Sequence, residues 1–409
     1  MALLKRKVAL TLSDAQYRAS RILPKALFSY IEGGAEDEVT LNENVSAFRS
    51  LRLRPRMGVD VEPNLTTTVL GSRVKMPLLL APAGMEQIVH PDGAVGVARA
   101  AAAAGTIAIL SRTALCPLEE VARQAPGPHW FQISSSGGSC VVQDLMERAA
   151  NAGFTGLVVT LDGPPSGLRE ADLRNGVVPP VRFTSGLVAN LAAQALARPR
   201  WTFRMLAAAR KQKAAISGTM RTLSSNAMSR SARFTWDDIE DMRRKWPGSL
   251  LVKGVLTGSD ALAARNAGAD AIIVSNHGGR ALDGAPATIE VLPEIVAAVG
   301  NSFEVYLDGG IRRASSVAKA LCLGARAVFI GRPFLYGLAC SGQPGVEWVL
   351  DLFRDELVRT MKLLGCPDVA VLNADWLQPT NDWPISACDF RTTMSERIGH
   401  AAIDSYTSK

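Results

Sequence analysis

The 409-residue sequence is short of the side chains that usually build metal centres. It has four histidines, His90, His129, His277 and His400, none in an H-x-x-x-H or H-E-x-x-H spacing. A histidine-rich metal site is therefore not expected. If the chemistry needs an imidazole, few candidates exist. The six cysteines (Cys116, Cys140, Cys322, Cys340, Cys366 and Cys388) are scattered and form no C-x-x-C pair. That pattern reads as reduced thiols of an intracellular protein. No uninterrupted apolar run is long enough for a membrane-spanning helix. The basic cluster Lys5-Arg6-Lys7 is followed only by a short apolar run, Val8–Leu12, with no small-residue cleavage site, so a secretory signal is not expected. A G-x-G-x-x-G fingerprint after a first strand is also missing. Its absence counts against an open doubly wound sheet and an obligate NAD cofactor.

What is present is a globular composition, 47% hydrophobic and 20% charged. Formal net charge is +7, which by itself admits nucleic acid, an anionic membrane or an anionic small molecule as partner. The charge is not evenly spread. Leu173 to Trp236 contains no Asp or Glu and holds 11 of the 45 basic residues, leaving 34 basic against 38 acidic elsewhere. Nucleic acid is disfavoured, because no aromatic-interleaved recognition motif accompanies the charge. Apolar patches at Leu187–Leu196 and Trp201–Leu206 alternate with the arginines, which suits the interface of an anionic membrane. A mobile solvated loop or active-site lid is the competing reading.

A helical segment is expected up to about residue 60, with a helix starting at Leu23-Pro24-Lys25 and capped at Gly33-Gly34. From about Met76, short β-branched or apolar runs alternate with Ala-rich helical stretches. The expected strands are Pro77–Ala81, Thr106–Leu110, His129–Ile133, Gly156–Leu161, Leu250–Lys253, Ala271–Ser275, Glu304–Asp308 and Ala327–Ile330. Helical periodicity lies between them, as at Gly93–Ala104, Val141–Ala152, Ser259–Ala267 and Ser315–Leu323. Eight such units predict an α/β fold, a (β/α)8 TIM barrel. Residues 1–60 are assigned to the helical segment, 61–380 to the barrel and 381–409 to a C-terminal tail. The acid-free stretch at about 173–236 is a long basic insertion after the fourth strand.

Barrel active sites lie at the strand C-terminal ends. Those ends carry, in order, Pro82-Ala83-Gly84, Ser111, Gln132 and Ser134, Thr160 with Asp162 and Arg169, Lys253, Ser275 to Arg280, Asp308 to Arg312, and Gly331-Arg332. The last two are Gly-rich with an arginine each, a phosphate-binding arrangement. His277 precedes Arg280 by three residues, a base beside a bidentate anion binder. A phosphorylated cofactor and an anionic substrate are expected. His129 is expected to be structural, and His90 and His400 to lie on the surface.

At these residues the sequence resembles the FMN-dependent L-2-hydroxy acid oxidase and dehydrogenase family, which includes glycolate oxidase, quinone-linked L-lactate dehydrogenase and mandelate dehydrogenase. Ser275-Asn276-His277-Gly278-Gly279-Arg280-Ala281-Leu282-Asp283 resembles its active-site signature. Further likeness lies in Gly34-Ala35-Glu36-Asp37-Glu38, Ala81 to Met85, Phe131-Gln132, Arg169 to Asp172, Val252-Lys253-Gly254, Asp308 to Arg313 and Ile330 to Pro333. Arg198-Pro199-Arg200-Trp201 resembles a loop of bacterial lactate dehydrogenases.

The resemblance implies an FMN enzyme that oxidises a small anionic L-2-hydroxy acid to a 2-oxo acid. It makes His277 the base, oriented by Asp162, with Arg280, Arg169 and the Tyr30 hydroxyl on the substrate carboxylate. Pro82, Ala83, Gly84, Ser111, Gln132, Thr160 and Ser275 would hold the isoalloxazine ring. Lys253 would lie near flavin N1 and O2, Asp308 on the ribityl hydroxyls, and Gly309, Gly310, Arg312, Gly331 and Arg332 on the phosphate. Quinone or oxygen would take the electrons. The resemblance also implies a homo-oligomer, a tetramer, in the cytoplasm or peripheral on the inner face of the cytoplasmic membrane through 173–236.

Two positions depart from the family pattern. Gln132-Ile133-Ser134 stands where the family has Gln-x-Tyr, and Gly163 where a threonine is usual. Serine cannot reach as far as tyrosine. Either the pocket is enlarged, or the chain is a specialised flavin oxidase or oxidative decarboxylase acting on a larger biosynthetic intermediate. A third reading, a catalytically silent FMN-binding barrel that docks through its insertion, fits poorly with the intact set of Tyr30, Asp162, Arg169, His277 and Arg280.

Overall fold

The computed structural model describes residues 9–135, 138–163, 167–176, 184–209 and 233–384. Eight parallel strands form one sheet: β1 (Leu78–Leu80), β2 (Ile109–Ser111), β3 (Trp130–Ile133), β4 (Gly156–Thr160), β5 (Ser249–Val255), β6 (Ala271–Val274), β7 (Glu304–Leu307) and β8 (Ala327–Ile330). The order is β1-β8-β7-β6-β5-β4-β3-β2, so each strand lies beside its sequence neighbours. A parallel bridge between Leu80 and Ala108 joins β1 to the approach of β2, with the Leu80 N–H 3.0 Å from the Ile107 carbonyl. The sheet thus closes into the expected (β/α)8 barrel. The second strand begins at Ile109 rather than Thr106, and the Thr106 hydroxyl donates to the Leu78 carbonyl of β1.

Strand periodicity sorts the core into two layers. Leu79, Ile109, Trp130, Val158, Leu251, Ile273, Tyr306 and Phe329 face inward and form one buried cluster. Their odd-even partners, such as Leu80, Leu110, Phe131, Leu157, Val252, Ile272, Leu307 and Ile330, pack under the helices. Inside, the Trp130, Tyr306 and Phe329 rings meet at centroid distances of 6.3, 6.4 and 5.8 Å, mostly edge-on. A hairpin of Thr67–Val69 and Ser72–Val74 adds Val69 and Val74 to this cluster. The Leu70 N–H reaches Glu304 at the start of β7, so the hairpin covers the N-terminal end of the barrel. With that end filled, the cavity is left at the other.

Three N-terminal helices, α1 (Leu12–Ile22), α2 (Lys25–Glu32) and α3 (Val39–Ser46), complete the expected helical segment. Thr11 and Asp14 form a reciprocal capping box at α1. α2 starts after Pro24 and ends at Gly33, as the sequence suggested. Gly33 is extended rather than left-handed. Its use lies in close approach, since a Cβ there would sit 2.9 Å from the Ser29 carbonyl. The segment is also tied to the C-terminal side of the chain, because Leu51–Leu53 pairs antiparallel with Leu377–Pro379.

α4 (Glu170–Arg174) leads into the basic insertion, in which α5 (Ser185–Leu196) and α6 (Pro199–Ala209) are described. Residues 177–183 and 210–232, which include Arg182, Arg210, Lys211, Lys213, Arg221 and Arg230, lie outside the described residues. The described part does not behave as a free loop. Gln194 accepts the Ala26 N–H at 2.8 Å, Arg198 donates to the Leu23 carbonyl at 3.0 Å, and the Trp201 indole donates to the Ile88 carbonyl at 3.0 Å. α5 and α6 are therefore docked on the N-terminal segment and the β1 loop. His129 is buried and contacts the Ala125 carbonyl, the structural role expected of it. His90 corrects the surface expectation: it is largely covered and lies 3.6 Å from Asp92. His400 lies outside the described residues.

Candidate active site

The strand ends converge on one cavity of about 300 Å³. Its lining includes Tyr30, Pro82 to Met85, Ser111, Gln132, Thr160, Arg169, Lys253, His277, Arg280, Asp308 to Arg312, Gly331 and Arg332. Nearly every sequence-predicted residue is therefore brought to the same place. Asp162 and Ser275 stand just behind it.

His277 follows β6 in a left-handed conformation, φ 59°, at the head of a turn closed by the Gly279 N–H on the Asn276 carbonyl. A non-glycine residue is held there at a cost of about 1 kcal/mol. Its Nδ1 lies 2.8 Å from Asp162 Oδ1, leaving Nε2 on the cavity side. Asp162 is buried, which opposes its charge. The fields of His277 and Lys253, with hydrogen bonds, outweigh that and hold its carboxyl below the ordinary value. A buried carboxylate facing Nδ1 fixes that nitrogen as the N–H donor, so Nε2 is the proton-accepting atom.

Lys253 ends inside the barrel with its ammonium buried. It donates to Ser275 Oγ at 2.6 Å and lies 3.3 Å from Asp308 and 3.9 Å from Asp162. Burial disfavours the ammonium, but the two carboxylates more than offset it and push its pKa up. An unpaired ammonium buried on this strand would be costly, and here two carboxylates answer it. Ser275 Oγ also accepts the His277 N–H at 3.1 Å, so the lysine and the histidine share one orienting hydroxyl. Asp308 Oδ1 and Asp162 Oδ2 are buried with no hydrogen-bond partner among the described residues.

Arg280 and Arg169 lie over the Tyr30 ring, with Cζ 4.9 and 5.6 Å from its centroid. Arg280 is anchored by the Tyr30 and Gly33 carbonyls at 2.7 and 2.8 Å. Burial, reinforced by neighbouring Arg169, pushes its pKa down to about 10. Arg169 is paired with Asp172 at 2.6 Å. Two cations crowded at a cavity wall await an anion. Ser111, Gln132 and Thr160 form a side-chain chain across β2, β3 and β4, with 3.1 and 3.0 Å links. The amide of Gln132 is thereby held in one orientation.

At β7 and β8 the backbone makes the cradle. Gly310 has φ 72°, and a Cβ there would lie 1.7 Å from the Asn44 carbonyl, so only glycine fits against α3. The Arg332 guanidinium is directed to the Ile31, Gly278 and Gly33 carbonyls at 3.0, 2.9 and 3.1 Å. It thus pins α2 and the His277 turn over the cavity.

Some supporting residues were not among the expected site residues. Asn44 and Asn276 exchange amide hydrogen bonds of 2.8 and 2.9 Å, joining α3 to the signature turn. Asp283, at the end of the signature, caps α3 by accepting the Thr40 and Val39 N–H groups at 2.9 and 3.3 Å. Arg112 and Thr113, next to Ser111, also line the cavity. Their place directly after a strand end was the signal that could have found them.

Comparison with known proteins gives a consistent picture. A family model described as FMN-dependent dehydrogenase matches residues 19–379. A peroxisomal (S)-2-hydroxyacid oxidase, GLO3, of Arabidopsis thaliana is 40% identical over 371 residues, covering 90% of this chain and 96% of that protein. An L-lactate oxidase of Nostoc sp. is 41% identical over 374 residues, covering 90% and 98%. Among solved structures, the monotopic membrane protein (S)-mandelate dehydrogenase superposes with a TM-score of 0.83 at 37% identity, covering 90% of this chain and 99% of that one.

Proposed function

We propose, for a chain that belongs to the FMN-dependent dehydrogenase family and is therefore an FMN-dependent 2-hydroxy acid oxidase or dehydrogenase, that it oxidises an L-2-hydroxy acid to the 2-oxo acid with His277 as base. The observation that carries this reading is the 2.8 Å His277–Asp162 contact beside two arginines stacked on one tyrosine.

The donor set suits FMN. Lys253 is an oriented, charged ammonium at the cavity floor, and Asp308 Oδ1 is a buried acceptor awaiting a hydroxyl. Gly309, Gly310, Arg312, Gly331 and the start of the helix Arg332–Ser341 offer backbone N–H groups and a guanidinium to a phosphate. Pro82 to Gly84, Ser111, Gln132, Thr160 and Ser275 would flank the ring. FMN, when bound, supplies the two-electron acceptor.

Arg280 and Arg169 bind the substrate carboxylate, with the Tyr30 hydroxyl beside them. That fixes the 2-hydroxyl and Cα near His277 Nε2. The imidazole starts neutral, takes a proton at Nε2, and the Asp162 carboxylate stabilises the imidazolium that forms.

Exposed Leu196, Phe203 and Leu206, on α5 and α6 beside exposed Arg200 and Arg204, support attachment to an anionic membrane surface and electron delivery to quinone there. Oxygen is the alternative acceptor. Ser134 and Gly163 favour a second reading, oxidation or oxidative decarboxylation of a larger acid. A Cβ on Gly163 would meet nothing within 4 Å.

Purified protein loaded with FMN should be bleached anaerobically by some L-2-hydroxy acid. Colour that no acid in a broad panel bleaches would overturn the reading.

A further inference from the structure

We propose that Asn44 is a positioning residue for the base: acting through Asn276, it holds the left-handed turn that aims His277 at the substrate. The proposal rests on the function given above and adds a residue outside the cavity to the machinery of that site.

α3 grips the signature segment along its length. At its start, Asp283 accepts the Thr40 and Val39 N–H groups, and the Thr40 hydroxyl donates to the Ala285 carbonyl at 3.0 Å. Further along, the helix backbone passes so near the turn that a Cβ on Gly279 would lie 2.5 Å from the Leu41 nitrogen. Asn44 lies one helical turn beyond Leu41, and its side chain reaches Asn276, the residue next to His277.

Both amides are buried. Asn276 Oδ1 accepts from Asn44 Nδ2 at 2.8 Å and from the Gly279 N–H at 3.1 Å. Asn276 Nδ2 donates to Asn44 Oδ1 at 2.9 Å and to the Pro286 carbonyl at 3.0 Å. Asn44 Oδ1 also accepts the Thr288 N–H at 3.2 Å. With two donors and two acceptor sites answered, the Asn276 amide has a single orientation. That orientation places its oxygen on the Gly279 N–H and so closes the turn in which His277 has φ 59°. A histidine held at positive φ needs its surroundings to keep it there. When the closure loosens, the backbone relaxes and the imidazole leaves Asp162. Arg280, by contrast, is anchored on the α2 side by the Tyr30 and Gly33 carbonyls. Loss of Asn44 should therefore harm the proton transfer more than the binding of the acid.

The test follows kcat, FMN affinity and affinity for the 2-oxo acid product, the last two read from the visible spectrum of the flavin. Asn44→Ala should lower kcat by about 10- to 100-fold, the scale of a base displaced by about an ångström, and change the two affinities by less than about threefold. Asn44→Asp is the second variant and decides if the alanine protein does not fold. A protonated carboxyl reproduces the exchange, its O–H donating to Asn276 Oδ1 while its other oxygen accepts from Nδ2, and burial favours that form. The ionised carboxylate has no proton to donate. The kcat of Asn44→Asp relative to wild type should thus be highest at acidic pH and fall as pH rises. A pH-independent ratio, an unchanged kcat in Asn44→Ala, or a loss of FMN affinity as large as the loss of kcat would overturn the positioning role and leave the proposed function standing. Wild-type flavin bleached by no 2-hydroxy acid would overturn the function and this inference together.

Discussion

His277 Nδ1 lies 2.8 Å from Asp162 Oδ1 across 115 residues of sequence, the end of β6 meeting the end of β4. The contact settles which imidazole nitrogen faces the cavity. His277→Asn should lower kcat by about 100- to 10,000-fold, the usual worth of a positioned base. Asp162→Asn should have a comparable effect, because an amide no longer enforces the N–H at Nδ1. Retention of FMN, read from the visible spectrum, separates this loss from a loss of cofactor.

Glu86 is buried, and burial pushes its carboxyl up to about 8. An acid with a raised folded-state pKa costs nothing below its unfolded value, near pH 4.5. The cost grows as pH rises above that, and levels off beyond about pH 8. Glu86→Gln should therefore raise Tm at pH 8, with the gain shrinking towards pH 5. A pH-independent difference between the two melting curves would refute the assignment.

Asp162 behaves in the opposite sense. Its carboxyl is held below the ordinary value, so its contribution is present above the ordinary carboxylate range and is lost as pH falls through the lowered pKa. Thermal melts of wild type and Asp162→Asn should converge on acidification.

Ser134 occupies the position where the family pattern has tyrosine. Ser134→Tyr should improve turnover of small acids such as lactate by narrowing the pocket. Unchanged or poorer lactate kinetics would remove the enlarged-pocket explanation.

Gly156 opens β4, and a Cβ there would lie 2.5 Å from Trp130 Cδ1 in the middle of the barrel. Gly156→Ala should destabilise by about 1–3 kcal/mol through overpacking. Chemical denaturation would measure it, and the loss should be relieved by pairing the change with Trp130→Phe.

Leu196, Phe203 and Leu206 are 79%, 75% and 63% exposed, while Arg198 and Trp201 hold their helices to the body of the protein. Replacing the three by Gln should leave the fold intact and lower partition onto anionic vesicles. Equal partition, or equal partition after deletion of Leu187–Arg221, would sink the membrane reading.

The barrel was legible because strand and helix periodicities are local properties of the chain. Apolar runs such as Gly156–Leu161 and Ala271–Ser275 must be strands once helices flank them, and their C-terminal ends must share one face. That rule alone collected His277, Arg280, Lys253, Asp308 and Arg169. Local pattern could not disclose partnerships across the ring. Nothing near Asn44 announces its exchange with Asn276, and nothing in Arg332 shows that its guanidinium would be spent on three backbone carbonyls. Arg198 read as one charge in a basic loop, yet it docks α5 and α6 on Leu23. The sequence by itself determined the fold class, the flavin family and which side chains gather at the strand ends. Only the tertiary structure decided their pairings, because hydrogen-bond direction, burial and the distance between charges depend on where chain segments far apart in sequence come to rest.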